Sequence, residues 1–236
     1  MGNRTPPSAP ADTRIPDTEG TARVITPHLR GWFHTVMTPL AITAGIVLVV
    51  LSPDTPARIG AITFTVTAGL LFATSAAYHR GTWTPTVQHR LKRIDHSNIF
   101  LIIAGTYTPF ALTLLDRTQA TVLLSLVWGG AILGVAFRVC WISAPRWLYV
   151  PIYLALGWVA IFYLGPFART GGPAVITLIT VGGLLYTLGA IVYGTKHPDP
   201  SPQWFGFHEI FHTLTTTAFI THYIAISIAT YTNPTT

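Results

Sequence analysis

Seven apolar stretches follow one another along this chain, at approximately 33–52, 59–79, 95–115, 119–140, 147–167, 173–194 and 207–230. Each is close to the ~20 residues that an α-helix needs to cross a ~30 Å hydrocarbon core. Each is also too long for a membrane strand, and none alternates with period two. Backbone groups in lipid must be satisfied within the segment, so the stretches are expected to be helices. The expected fold is therefore all-α, an integral membrane bundle of seven transmembrane helices. Composition agrees: half of the residues are hydrophobic and 9% are charged, against about 25% in a soluble domain. A single cysteine, Cys140, rules out an internal disulfide. The net charge of +6 does not mark a nucleic-acid binder, because the basic residues lie in connections and a tail rather than on one face.

Residues 1–31 mix Pro, Ser, Gly and charges without an apolar period and are expected to form a disordered cytoplasmic tail. They precede a membrane domain at 32–236. No short apolar region with a small-residue cleavage site comes before the first span, so that span is expected to be retained. Assigning successive connections to alternate sides puts 11 Lys and Arg on the side of the amino terminus and 3 on the other. The positive-inside rule then predicts a cytoplasmic amino terminus and an outside carboxy terminus in the cell (plasma) membrane.

That topology brings three histidines to one side. His79 ends the second stretch, and His208 and His212 open the seventh, with Asp95 at the start of the third. Ionisable residues at membrane depth are rare and usually functional. Positions four apart share a helix face, so His208 and His212 can hold one ion and Ser75 lies on the face of His79. Three imidazoles without thiolates suit zinc better than magnesium or calcium; iron and copper stay open. The run His208-Glu209-Ile210-Phe211-His212 also reads as the zinc-protease pattern, in which the glutamate activates water. The downstream His222 is ~15 Å further along the helix, too far to complete such a site. The other role open to Glu209 is that of a first-turn acid favoured by the helix dipole.

Three ordered motifs carry a family resemblance: Ser75-x3-His79, Arg93-Ile94-Asp95-His96 with Ala104-Gly105-Thr106-Tyr107-Thr108-Pro109-Phe110, and His208-x3-His212. From about residue 30 onward the chain resembles the bacterial hemolysin III proteins, of the progestin and adiponectin receptor superfamily. The resemblance implies a seven-span bundle whose zinc ion, near the cytoplasmic side, is held by His79, His208 and His212. It associates Ser75 and Asp95 with the metal-bound water, as in alkaline ceramidases, and favours Asp95 over Glu209 as the acid–base group.

Other residues invite less. Gly105, Pro109 and Thr106 to Thr108 either kink the third helix to admit lipid or allow close packing. Trp83, Trp128, Trp141, Trp147, Trp158 and Trp204 fall near the ends of runs, where indoles favour the interface. Arg90, Lys92 and Arg93 are topology signals or headgroup contacts, and His89, His96 and His197 are expected to be solvated boundary residues. The function expected is zinc-dependent hydrolysis of an amide or ester of a membrane lipid, with Asp95 and Ser75 as the catalytic pair. A non-enzymatic sensor or lipid-homeostasis protein with structural zinc, and a cytolytic pore-forming protein, are the alternatives.

Overall fold

The computed structural model describes residues 14–16, 22–24, 29–201 and 203–232. Most of the tail expected to be disordered lies outside the described residues. Within it, β1 (Arg14–Pro16) and β2 (Ala22–Val24) pair antiparallel, with Arg14 opposite Val24.

The remaining elements are helical. Helices α1 (Trp32–Val50), α2 (Thr55–Arg80) and α4 (Arg117–Cys140) follow the apolar stretches. Their starts are set by local chemistry: Asp54 accepts from the Ala57 amide at 2.8 Å, ahead of Pro56, and Asp116 accepts from Gln119 at 2.9 Å. Helix α3 (Pro85–Leu114) begins ten residues before the expected boundary, because Thr84 caps it and Pro85 starts it. Arg90, Lys92 and Arg93 are thus helical rather than in a loop, and Asp95 lies three turns inside α3.

Helix α5 (Arg146–Gly157), a 3₁₀ segment (Trp158–Tyr163) and α6 (Leu164–Thr195) join without a gap. Fifty straight helical residues would span about 75 Å, more than twice a hydrocarbon core. The segment instead folds back. The Tyr149 and Tyr193 hydroxyls are 3.2 Å apart, and Trp158 Nε1 donates to Thr187 Oγ1 at 3.1 Å. The midpoints of the two pairs fall at Gly171 and between Gly172 and Pro173. Gly172 has φ +74° and ψ −177°, a conformation open almost only to glycine, and Pro173 then restarts the helix. The 3₁₀ break is tied to α3 by Tyr107, whose hydroxyl donates to Gly157 O at 2.5 Å and accepts from Ala160 N at 2.7 Å. Irregular backbone at membrane depth needs such a partner.

Among the described residues, five segments are long and apolar enough to cross a membrane: α1 to α4, and the joined segment from Arg146 to Thr195. Helix α7 (Phe207–Thr232) is long enough, but its histidines and threonines hold its hydropathy down. Large apolar side chains such as Val36, Ile46, Leu133 and Phe162 face outward, so this is a multi-pass membrane protein.

Helix α3 forms the middle of the bundle. It buries Phe100, Ile102, Tyr107, Phe110 and Leu114 and touches α2, α4, α5, α6 and α7. Its approach to α2 is close. A Cβ on Gly60 would stand 2.7 Å from Pro109 Cα, and one on Gly105 would stand 2.1 Å from Thr67 Oγ1. Of the two readings of Gly105 and Pro109, close packing is the one the contacts support. Helix α7 closes the bundle against α6, α1 and α3.

Candidate metal centre

The antiparallel run of neighbouring helices puts the end of α2 beside the starts of α1 and α7. His79, His208 and His212 meet there. Each offers one ring nitrogen, and the three nitrogens lie within 4.8 Å of one another. His208 Nε2 is 3.3 Å from His79 Nε2 and 2.8 Å from His212 Nε2. Nitrogens ~2.0–2.1 Å from a tetrahedral ion stand about 3.4 Å apart, so the cluster needs little adjustment to hold one. Three neutral imidazoles with no thiolate form a donor set for a transition metal.

A fourth histidine joins the cluster. His34, in the first turn of α1, places Nε2 2.8 Å from His212 Nδ1, with both rings nearly perpendicular and buried. With Nε2 of His212 turned to His208 and His79, its Nδ1–H donates to His34. This is the orienting contact that metal-bound histidines usually possess. Gly31 makes the approach possible: at φ +80°, its missing Cβ would stand 2.8 Å from His79 Cβ. Sequence reasoning missed His34. The available signal was a lone imidazole in an apolar helix at the same membrane face.

Glu209 is buried and committed elsewhere. Its Oε2 accepts from Gly206 N at 3.0 Å, the reach-back bond of a capping box, and its Oε1 lies 3.4 Å from Arg30 Nε. Asp199 Oδ1 accepts from Phe207 N at 2.9 Å and completes the cap. Of the two roles open to Glu209, the first-turn acid matches these contacts.

A cavity of about 290 Å³ extends from the histidines into the bundle. Ser75, Asp95, His208 and His212 line it, together with His34. Ser75 is one turn before His79 on α2, and Asp95 faces it from α3; both are buried. Beyond them the wall is almost wholly apolar. It includes Trp158, Ile161 and Leu184, about half exposed on the outer surface, so the cavity opens sideways between the 3₁₀ segment and α6. His222 lies deeper in the same wall and donates from Nε2 to Ile179 O at 3.2 Å, apart from the cluster. His96 departs from expectation. It is not a solvated boundary residue but lines the cavity, with Nδ1 accepting from Arg138 Nη2.

A multi-pass helical membrane protein with a histidine cluster able to hold a metal at the end of an apolar cavity is the class that fold and site define. Residues 22–223 match the family model described as Haemolysin-III related. The chain is 33% identical over 178 residues to the "Hemolysin-3 homolog" of Bacillus subtilis (strain 168), covering 74% of this chain and 83% of that one. It is 31% identical over 163 residues to "Hemolysin-3" of Bacillus cereus, covering 68% and 74% respectively. The chain belongs to the hemolysin III family, as its motifs suggested.

Proposed function

We propose that this chain crosses the cell membrane seven times, amino terminus inside and carboxy terminus outside, and hydrolyses an amide or ester bond of a membrane lipid with zinc held by His79, His208 and His212. The fold-back at Gly172 supports the count, since it divides the joined segment into two legs beside α1 to α4 and α7. The observation that carries the function is the position of the histidines. His208 and His212 line an apolar cavity with a carboxyl and a hydroxyl group in the same wall, and His79 stands behind them in the cluster.

His79, His208 and His212 would hold the zinc, which when bound would supply Lewis acidity for a carbonyl and a nucleophilic water near neutral pH. Asp95 takes the proton as general base, and Ser75 hydrogen-bonds the water or the developing negative oxygen. The apolar wall holds the acyl chain and keeps bulk water from the reacting bond. Haemolysis belongs to the names of the two relatives. For this chain, an apolar cavity fits an acyl chain better than the polar lumen of a water-filled pore.

The test is release of fatty acid from a ceramide by purified, zinc-loaded protein. Asp95→Asn is expected to keep zinc and lose roughly 10²- to 10⁴-fold in turnover, whereas Glu209→Gln keeps most of both. The opposite pattern would return the lead to a protease-like mechanism. Absence of hydrolysis by wild-type protein across amide and ester lipids would replace the enzyme with a sensor.

A further inference from the structure

Arg138, in the last turn of α4, is fully buried, and among the described residues it forms no ion pair with a carboxylate. Its guanidinium lies 4.2 Å over the Tyr149 ring, and Nη1 donates to Trp141 O at 3.4 Å. Its remaining partner is His96 Nδ1. Guanidinium only donates, so Nδ1 is the acceptor, and the neutral ring must carry its hydrogen on Nε2. The backbone fixes the ring's helix as well, because Tyr153 donates to His96 O at 2.9 Å. Among the described residues Nε2 has no protein partner, yet it is not among the buried unpartnered atoms. It is therefore open to the space beside it, and His96 lines the same cavity end as Ser75, Asp95, His208 and His212.

We propose that His96 is a hydrogen-bond donor to a carboxyl-level oxygen of the bound lipid, and that Arg138 is its positioning residue. The positive charge behind Nδ1 fixes the tautomer and strengthens Nε2–H as a donor, as charge-assisted hydrogen bonds are stronger than neutral ones. An alcohol at the same place gains less, since it carries no comparable negative charge. The preferred occupant of this end is thus a fatty carboxylate or the carbonyl oxygen that precedes it. The assignment rests on the proposed lipid cavity and adds to it the group that recognises the head of the chain.

Direct binding of palmitate and of hexadecanol to the detergent-purified, zinc-loaded protein tests it, because the ratio of the two affinities does not depend on the fraction of protein folded. Wild type is expected to favour palmitate. His96→Phe should cut that preference about tenfold while leaving hexadecanol binding unchanged, the loss of one hydrogen bond to a charged group. His96→Gln, which keeps an acceptor for Arg138 and an N–H donor, should restore much of it. Arg138→Lys should lower the preference with His96 still present, an effect that simple packing of His96 does not give. An unchanged ratio in His96→Phe, with both ligands bound, overturns the assignment alone. If wild type binds neither ligand, the lipid cavity falls and this assignment falls with it.

Discussion

Replacing His34 tests whether the centre is a designed metal site or a chance meeting of imidazoles. His34 is hydrogen-bonded to the cluster through the 2.8 Å contact of its Nε2 with His212 Nδ1. Loss of such an orienting partner typically costs 10- to 100-fold in metal affinity, about 1.4–2.7 kcal/mol. Both rings are about 5% exposed, so water cannot readily take the place of the lost acceptor, and the upper half of that range is expected. His34→Phe keeps the ring and its edge contact with Phe72 but leaves the His212 N–H without a partner. His34→Gln supplies a carbonyl oxygen and should stay within about tenfold of wild type, below the loss expected when the outer partner is removed. The assay is competitive zinc titration against a chelating indicator in detergent, with thermal unfolding of the zinc-free protein as a control for folding. Zinc affinity of His34→Phe within twofold of wild type, while His208→Ala loses the metal, would refute the reasoning.

Three further outcomes follow from the fold. Gly172→Ala should destabilise by about 1–3 kcal/mol, although no atom lies within 4 Å of the added methyl; the equally open but helical Gly183→Ala should be neutral or stabilising, and equal unfolding temperatures for the two would remove the strain argument. Gly105→Ala should cost about 1–3 kcal/mol through overlap with Thr67, and Thr67→Ala in the same chain should recover part of it in a double-mutant cycle. A reporter fused after Thr236 should be active outside the cell and one inserted between Gly81 and Thr82 inside it, since the basic residues favour that orientation; the reverse pattern would overturn the proposed topology.

Much of the bundle was legible because hydropathy and helix caps agree. Helices α1, α2, α4 and α7 fall within a few residues of their apolar stretches, and Asp54 and Asp116 mark where two of them start. Hydropathy failed where it measures the wrong quantity. It registers the free energy of transfer, so it passed over the polar first turns of α3, although Thr84-Pro85 is a strong start signal. It also gave no sign of the 3₁₀ segment, which depends on the Tyr107 hydroxyl arriving from another helix.

The site was legible to the extent that its residues repeat at helical spacing. His208 and His212 announce themselves four apart, and Ser75 and His79 do the same. His34 and His96 have no such companion, and their partners are 178 and 42 residues away. Counting charges hid Arg138 for a related reason: the rule treats every arginine as an exposed topology signal, and this one is fully buried. Glu209 shows the opposite failure, a strong motif with a structural use. Its bonds to Gly206 N and Arg30 tie the first turn of α7 to the segment leading into α1, and Gly31 then brings that segment against His79. The glutamate of the His-Glu-x-x-His pattern therefore sets the depth at which His208 and His212 meet His79 and His34. A motif defined by a catalytic glutamate here ties down the helix start that carries two of the clustered histidines, while the acid facing the cavity comes from α3.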